Sequence, residues 1–452
     1  MKPLPLKFVE RIENDRPNDC SVFLEGLERP VYSSVQVNPN KTESDDWKSV
    51  VSAEVPWWSG GKMLSSRPKF TQDPLFHAGA YYSQESSSMM VGWIAEQLLQ
   101  GKKDLRVLDL CAAPGGKSIL LSEVVGDRGL VFSNEINKGR NQILVENLVK
   151  WGATNVLVSL GDASKYKNFE GYFDLILVDA PCSGEGMFRK DEVAREEWSP
   201  ENVLMCAARQ KDILSDVLPL VREGGHIIYS TCTFAKSENE EVCEWILEQE
   251  NFEGVIFDLP ESWNLEYTAS TEYRGYKFLP HKVLGEGFFC AAFTKTSGKN
   301  FKLNKRGTKP FFKPVSKASS DKWGLKLEAN FYSNPHDEIF ASPLANEEFQ
   351  WVISELFVTL PGIEVGKIIR DELIPAHHLA MIPNVHSVDS YLELSKEQAL
   401  DYLCKEDIKI ESPTVGWAIV SYRQTPLGWV KLMKQRVNNY YPKEWKIRFR
   451  EF

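Results

Sequence analysis

The sequence lacks several features that would place it in a membrane, outside the cell or around a metal ion. No run approaches the roughly 20 apolar residues that a membrane-spanning helix needs, and the N-terminal stretch has no apolar segment typical of a signal peptide. The eight cysteines form no Cys-x-x-Cys pair, which argues against a zinc site and favours reduced thiols. No internal repeat of fixed period is present. We therefore expect a cytoplasmic protein without a metal ion and without a membrane partner.

An excess of basic residues is also missing, because the formal net charge is −10, and this argues at first against a nucleic-acid partner. Two local segments oppose that reading. Residues 295–326 contain ten lysines and arginines against Asp321 alone, and residues 423–450 contain eight against Glu444 alone. Because the local field decides polyanion binding, these segments fit a nucleic-acid partner. The alternative is a solvated linker followed by a basic tail.

The chain of 452 residues is too long for one hydrophobic core, and at about 150 residues per domain it predicts roughly three domains. We expect a small N-terminal domain over 1–75, in which SVQVNPNK (34–41) is read as a proline-containing loop. A domain of alternating strands and helices follows over 76–297. A basic linker covers 298–325, where Phe301, Phe311 and Phe312 could stack on bases. An α+β region completes the chain, with a turn predicted at Thr425–Gly428.

The middle of the chain alternates strand and helix patterns. Buried-strand runs are predicted over 106–111, 129–135, 156–162, 173–182 and 224–234, and helices begin near 86–88 and cover 117–125, 140–152 and 207–221. Such alternation indicates an α/β fold with a Rossmann-like, doubly wound and mostly parallel sheet. Ligands in these sheets bind at the carboxyl ends of the strands.

One strand–turn–helix, LDLCAAPGGKS (108–118), is typical of a nucleotide-like binding site. Gly115 and Gly116 stand where a strand passes into a helix, and exposed N–H groups there can receive a ligand. The motif matches neither GxGxxG nor the P-loop. Glu135 lies 20 residues beyond Gly115 at the next strand end, suited to ribose hydroxyls, and Asp162 ends the following strand, suited to an adenine amino group. Asp179 ends the fourth strand. The alternative for each acid is a helix N-cap or a surface turn.

Two cysteines differ from the other six. Cys182 follows one predicted strand in DAPCSGEG, and Cys232 follows another in STCTF, so both should face the presumed ligand crevice. The remaining cysteines are expected to be small buried hydrophobic residues. A disulfide between Cys182 and Cys232 is the other reading, and a reducing compartment disfavours it.

Methylation of carbon 5 of a pyrimidine is a reaction that needs both a bound methyl donor and two thiols. Carbon 5 of a pyrimidine is a poor nucleophile, but a thiolate that adds to carbon 6 converts the ring into an enamine whose carbon 5 can attack an electrophile. The adduct must then lose the carbon-5 proton and expel the sulfur, which a second thiol can assist. A neighbouring carboxyl group can stabilise charge on the ring during addition.

The segments LDLCAAPGGKS, LVDAPCSGEGMFRK and YSTCTF together resemble the Nol/Nop/Sun family of S-adenosylmethionine-dependent RNA cytosine-C5 methyltransferases. HAGAYYSQESSSMM and FLPHKVLGEGFFCAAF are similar to further motifs of that family, so the resemblance covers about 76–297. LPGIEVGKIIRDELIPAHHLAM and PLGWVKLMKQRVNNYYPKEW resemble the C-terminal region of its RsmF (YebU) branch, which acts on small-subunit ribosomal RNA and ends in a PUA-like RNA-binding domain.

The resemblance implies a class I methyltransferase domain over 76–297, an RsmF-type intermediate domain over 326–395 and a PUA-like domain over 396–452. It implies cytidine-C5 methylation of 16S ribosomal RNA with S-adenosyl-L-methionine as cofactor. Cys232 would be the nucleophile, Cys182 would aid product release, and Asp179 would be the acid beside them. The implied cofactor contacts are Cys111, Ala112, Ala113, Pro114, Gly115, Gly116, Lys117, Glu135, Arg140, Asp162 and Asp179. The expected partner is ribosomal RNA or the small subunit, not DNA, and the protein is expected to be a monomer.

One departure from the family pattern is visible, and rival functions remain open. Where the family commonly has Arg-Val-Asn near the N-terminus, this chain has Gln36-Val37-Asn38, which puts a phosphate-binding role there in doubt. An amino-group methyltransferase would carry a Pro-Pro-aromatic motif in place of Asp-Ala-Pro-Cys. A DNA cytosine-C5 enzyme would use Cys182 as nucleophile and leave Cys232 unexplained. A catalytically idle RNA-binding assembly factor would need neither cysteine.

Overall fold

The computed structural model describes residues 2–42, 47–127, 129–249, 251–303, 310–385, 391–408 and 415–448. Its architecture confirms the expected fold class, a Rossmann-like mixed sheet that carries a small N-terminal unit and a C-terminal α+β region. In the described parts of the chain, no helix is both long and apolar enough to cross a membrane.

The N-terminal unit combines two helices with a small antiparallel sheet of strand order β2-β3-β1-β4. Its elements are α1 (Leu6–Asp15), α2 (Cys20–Glu28), β1 (Ser33–Val37), β2 (Val51–Glu54), β3 (Gly61–Leu64), α3 (Pro74–His77) and β4 (Tyr81–Ser83). The prediction of a loop over 34–41 is wrong in its first half, because Ser34 to Val37 lie in β1. This strand is almost fully buried between β3 and β4, and the proline that suggested a loop follows only after it ends.

The central sheet has the strand order β11-β12-β13-β9-β8-β5-β6-β7-β17, with β10 added beside β13. Strands β5 to β9 run parallel, and the first of them lies in the middle with later strands added on both sides. That reversal of winding opens a crevice at the carboxyl ends of the strands. The strands are β5 (Arg106–Asp109), β6 (Leu130–Glu135), β7 (Val156–Leu160), β8 (Phe173–Asp179), β9 (Val221–Thr231), β10 (Phe252–Gly254), β11 (Glu266–Tyr267), β12 (Tyr276–Phe278) and β13 (Phe288–Lys295).

Helices cover both faces of this sheet and bury its apolar side chains in two clusters. They are α4 (Met90–Leu99), α5 (Gly116–Val125), α6 (Lys138–Trp151), α7 (Glu192–Glu197), α8 (Pro200–Val217) and α9 (Glu240–Glu248). Helix α8 begins seven residues before the predicted start at 207. The Ser199 hydroxyl caps it by accepting from the Asn202 N–H, and Pro200 occupies its first turn, where a proline is tolerated.

The C-terminal region contains two further sheets. Strands β14 (Lys313–Pro314), β15 (Asn330–Ser333), β16 (Glu338–Ser342), β18 (Ile363–Ile369) and β19 (Glu372–Pro375) form one, and β20 (Tyr391–Glu393), β21 (Gly416–Tyr422), β22 (Thr425–Leu432) and β23 (Val437–Asn439) form the other. Strand β17 (Val358–Leu360) instead pairs with β7 of the central sheet. The helices are α10 (Lys317–Ser320), α11 (Asn346–Glu355), α12 (His377–Met381) and α13 (Lys396–Leu403). The domain boundaries proposed from the sequence stay predictions.

Two expectations for the C-terminal part are wrong. The turn between β21 and β22 lies at Arg423–Gln424, both with positive φ, and not at Thr425–Gly428, which belongs to β22. Of the phenylalanines expected to stack on bases, Phe312 is buried against Phe349, and Phe301 packs on Tyr172 and Trp351. Phe311 alone of the three is largely exposed.

Candidate active site

The turn from β5 into α5 forms one wall of the crevice. Gly115 adopts a φ of +117°, which a residue with a Cβ rarely reaches, and it caps α5 without a side chain of its own. Two side chains from α6 hold the turn: Arg140 donates to the Ala113 carbonyl at 2.7 Å, and Asn147 donates to the Pro114 carbonyl at 2.8 Å. The first N–H groups of α5 therefore line the crevice, where an anionic or polar ligand group can accept from them.

Glu135 stands at the carboxyl end of β6 with only 2% of its surface exposed. One of its carboxylate oxygens accepts from the Asn137 N–H at 2.8 Å, and the other lies 3.4 Å from the Arg140 guanidinium. Arg140 thus contacts both the turn and this acid. The pair is fixed in position before any ligand arrives, as a hydroxyl acceptor requires.

Asp162, beyond β7, is held differently. Its Oδ1 accepts from the Ser164 N–H at 3.0 Å and also contacts the Ser164 hydroxyl, so the side chain caps the short turn that begins at Ala163. The hydrogen bond from the Ser164 hydroxyl lowers the pKa of Asp162. The capping role is the alternative that the sequence left open, and a cofactor contact through Oδ2 stays a prediction.

Asp179 ends β8 between two donors. Lys117 Nζ donates to its Oδ2 at 2.8 Å, and the Ser230 hydroxyl donates to its Oδ1 at 2.8 Å. Burial acts to lower the pKa of Lys117, but the charge and hydrogen bond of Asp179 outweigh it and raise that pKa, with a smaller contribution from a charge on Cys232. Lys117 is therefore a fixed ammonium group beside both Asp179 and the second cysteine.

The two cysteines singled out from the sequence meet at this point. Their Sγ atoms lie 3.1 Å apart, and the Cys232 N–H donates to the Cys182 sulfur at 3.3 Å. Both are free thiols. The hydrogen bond with Cys232 and burial raise the pKa of Cys182 well above that of an ordinary thiol. Cys182 therefore keeps its proton at neutral pH.

A buried carboxylate ties together the loops that carry the two cysteines. Glu238 is fully buried and accepts from the Ser183 N–H at 2.9 Å, from the Ser183 hydroxyl at 2.5 Å and from Gln210 at 3.0 Å. The Ser183 hydroxyl also lies 2.9 Å from that of Thr233. Sequence reasoning missed Glu238, because it lies in the acidic run SENEE (237–241), which reads as solvated surface.

A second missed residue is Asp109, at the end of β5. It is completely buried, accepts from the Ser118 hydroxyl at 2.7 Å through Oδ2, and its Oδ1 has no hydrogen-bond partner in the described structure. Burial raises the pKa of Asp109 to about 7. Because Asp109 lies inside the motif LDLCAAPGGKS, its position in the sequence could have identified it as a site residue.

No group of three or more histidine, cysteine or acidic side chains suited to a metal ion occurs within the described ranges. The site residues thus include five acids, an ammonium group and two thiols. This set can bind a polar nucleoside-like ligand and can carry out nucleophilic addition.

Comparison with protein families covers most of the chain in three parts. Residues 96–294 match the model of 16S rRNA methyltransferase RsmB/F. Residues 4–86 match the N-terminal domain of 16S rRNA methyltransferase RsmF, and residues 390–447 match the RsmF PUA domain.

Individual proteins agree with the family models. The chain is 30% identical over 469 residues to the ribosomal RNA small subunit methyltransferase F of Aeromonas salmonicida (strain A449), covering 98% of this chain and 97% of that protein. It is 28% identical to the protein of the same name from Shewanella sp. (strain ANA-3), with the same coverage. The crystal structure of a methyltransferase homologue from Pyrococcus horikoshii is similar with a TM-score of 0.53 at 26% identity, over 64% of this chain and 94% of that one.

Proposed function

The chain belongs to the family of the ribosomal RNA small subunit methyltransferases F, and from this premise we propose that it methylates carbon 5 of a cytidine in small-subunit ribosomal RNA through a covalent Cys232 adduct. The observation that carries the proposal is the 3.1 Å approach of Cys182 and Cys232 beside Asp179. An amino-group methyltransferase has no use for two such thiols.

The crevice fits S-adenosylmethionine as the cofactor. The uncapped N–H groups of α5 and the carboxylate of Glu135 at the end of β6 offer contacts to a ligand that carries a carboxylate and a ribose. When bound, this cofactor supplies an electrophilic methyl group. Glu135 would accept from the ribose hydroxyls and Asp162 from the adenine amino group, with Arg140 holding Glu135 and the turn in place.

In the first step, the Cys232 sulfur forms a bond to carbon 6 of the cytosine, and the electrons of the 5,6 double bond move to carbon 5. Lys117 keeps a positive charge beside the attacking sulfur. Asp179, held by Lys117 and Ser230, lies where a carboxyl group can hydrogen-bond the ring as charge develops. Carbon 5 then carries the nucleophilic electron pair that receives the methyl group.

In the last step, carbon 5 loses its proton to solvent water, the 5,6 double bond forms again and the carbon–sulfur bond breaks, which returns the electron pair to Cys232. Cys182 retains its proton because of burial and its bond to Cys232. Its S–H is therefore placed to donate to the departing sulfur at 3.1 Å. Cys182 acts in release, because its protonated sulfur lies within reach of the Cys232 sulfur.

Substitution of each cysteine tests this mechanism. We expect Cys232→Ala to abolish methyl transfer and to form no covalent complex with RNA. Cys182→Ala should still add to the ring and methylate it, then stall as a denaturant-resistant protein–RNA band on a denaturing gel. Cys20→Ala, in helix α2, is the matched control and should behave as the unsubstituted chain.

Other outcomes would revise the proposal in defined ways. A trapped band with Cys232→Ala and none with Cys182→Ala would reverse the two roles. Full activity in both variants, with no trapped band, would contradict the covalent mechanism. Bisulfite sequencing of 16S ribosomal RNA from cells with and without the gene identifies the cytidine, and an unchanged pattern would contradict the proposed substrate.

A further inference from the structure

A cavity of about 710 Å³ lies at the opposite end of helix α5 from the cysteines. Helix α5 begins at the cofactor turn and ends at this cavity, and its ten residues span about 15 Å. The walls come from the connection between β2 and β3, from α4 and from the segment before β7. Four tryptophans line the cavity, which we therefore call the tryptophan cavity: Trp57, Trp58, Trp93 and Trp151.

The charged groups among the described residues of this lining all have one sign. Glu96, Glu123 and Asp127 contribute carboxyl groups, and no lysine or arginine occurs among the described residues that line the cavity. Glu96 and Asp127 lie at the exposed rim, whereas Glu123 is half-buried. A nucleic-acid phosphate would be repelled from such a lining, and a cation would be attracted.

Among the described residues, no lysine, arginine or histidine side chain forms an ion pair with Glu123. Its Oε1 accepts from Gln36 at 2.9 Å, and it takes part in no ion pair within the part of the chain that the structure describes. The Gln36 Oε1 is buried without a hydrogen-bond partner, as is the Trp58 indole N–H. Burial raises the pKa of Glu123 to about 8, and the hydrogen bond from Gln36 only partly opposes this. The cavity lining therefore contains an unpartnered indole N–H at Trp58 and an acid, Glu123, that forms no ion pair with a described residue.

We propose that the tryptophan cavity binds an organic cation, an ammonium or guanidinium group on an aliphatic body. Indole faces attract such cations through their π electrons, and the attraction is stronger for a desolvated pair. The Glu123 carboxylate would pair with the charge, and the tryptophans would cover the aliphatic part. The volume lies within the range of about 300–1,000 Å³ that is usual for small-molecule sites.

Calorimetry on the full chain tests the proposal with two probes, spermidine for a free polyamine and N-acetyl-arginine amide for a basic side chain. We expect at least one of them to bind with one-to-one stoichiometry. Glu123→Gln keeps an acceptor for Gln36 but removes the charge, and it should weaken binding by roughly tenfold or more. Trp58→Leu should weaken it several-fold through loss of the cation–π contact.

Glu223→Gln is the matched control, because Glu223 is an exposed acid outside the cavity lining and its loss changes the net charge equally. It should leave the affinity unchanged. Binding should also release a proton near pH 8, since a bound cation favours the ionised form of Glu123. Unchanged methyl transfer by Glu123→Gln without added probe shows that this variant is folded.

The two probes separate the sources of the cation, since a preference for spermidine identifies a polyamine site and a preference for the arginine amide identifies a protein side chain. Absence of binding by both probes at millimolar concentration would overturn the proposal. Equal weakening by Glu123→Gln and Glu223→Gln would also overturn it, because the attraction would then come from net charge. Binding of an RNA oligonucleotide that depends on Glu123 and Trp58 would assign the cavity to the substrate instead.

Discussion

At the scale of single residues, Asp109 makes folding stability depend on pH. Burial holds its pKa at about 7 in the folded chain against 3.8 for the unperturbed group. Because the folded state binds the proton more tightly than the unfolded state, protonation of Asp109 stabilises the fold. This contribution to the free energy of unfolding is fully present below about pH 4 and is lost as the pH rises through about 7. We expect Asp109→Asn, which removes the ionisation, to be more stable than the unsubstituted chain at pH 8 by on the order of 4 kcal/mol.

Denaturant unfolding of the cofactor-free chain at pH 5 and pH 8 measures this difference. The difference in free energy of unfolding between Asp109→Asn and the unsubstituted chain should be smaller at pH 5 than at pH 8. Asp104→Asn, a substitution at an exposed loop acid near the start of β5, provides the comparison and should show little change. A gap that stays constant between the two pH values would show that Asp109 does not titrate in this range.

Substitution of the acids at the strand ends should weaken cofactor binding to different degrees. Glu135→Ala removes a buried carboxylate that is fixed by Arg140, and we expect a loss of about 1.5–3 kcal/mol in binding of S-adenosylmethionine. Asp162→Ala should cost less, because Asp162 is exposed and one of its oxygens already caps a turn. Calorimetric titration checks both, and unchanged affinity in the two variants would remove these acids from the site.

The sequence predicted those site residues whose position follows from their neighbours in the chain. Cys182, Cys232 and Asp179 follow strand runs directly, so their meeting at one edge could be inferred from the rule for parallel sheets. The partner of Asp179 was not foreseen, because Lys117 reaches it across 62 positions of sequence. Glu238 was missed for the same reason, since its burial depends on tertiary packing and not on its neighbours in the chain.

At the scale of elements, the loops after β8 and β9 act as one unit because Glu238 joins them. Glu238→Gln replaces an acceptor oxygen by an N–H₂ group that faces the Ser183 and Gln210 donors. An unmatched buried donor costs about 1–3 kcal/mol, and we expect the loss to appear as separation of the two cysteines. Formation of the covalent RNA adduct should slow roughly tenfold or more, while cofactor affinity stays unchanged.

Rapid-quench measurement of adduct formation separates this positioning effect from a general loss of stability. Glu241→Gln, at an exposed acid three residues further on, serves as control and should leave the rate unchanged. If Glu238→Gln lowers thermal stability but not the rate of adduct formation, the network stabilises the fold only. An equal slowing by both variants would point to the charge of the segment and not to the buried contacts.

The elements of the central sheet were predictable because their apolar runs are long, whereas turns governed by tertiary contacts were not. Pro426 and Gly428 suggested a turn, yet both lie within β22. A register shift in β21 opposite this stretch accommodates the proline, and a Cβ at Gly428 would meet the Tyr402 hydroxyl at 2.3 Å. The real turn uses Arg423 and Gln424 with positive φ, which residues of their type rarely adopt.

At the scale of the whole molecule, the charge pattern is less uniform than the sequence suggested. Lys295 belongs to the first basic segment, but its ammonium group is buried and donates to the carbonyls of Leu218 and Val221. Lys299 pairs with Glu170. In the C-terminal sheet, by contrast, Lys434 and Arg436 are exposed beside β22 and β23. The described part of the second segment therefore carries exposed cations, whereas Lys295 and Lys299 of the first segment already have partners.

RNA binding should reflect this difference in its dependence on salt. Each phosphate contact that is lost flattens the plot of log affinity against log salt by up to about 0.7–0.9. We expect Lys434→Gln with Arg436→Gln to weaken RNA binding and flatten the slope. Neutralising the linker quartet of Lys305, Arg306, Lys309 and Lys313 should also weaken binding and flatten the slope if the linker contacts RNA. Lys305, Arg306 and Lys309 lie outside the described residues.

Filter binding at several salt concentrations compares the two sets. An unchanged slope for the quartet would make the linker a tether only. An unchanged slope for both sets would place the RNA on another surface, because counterion release would then come from cations that neither set includes.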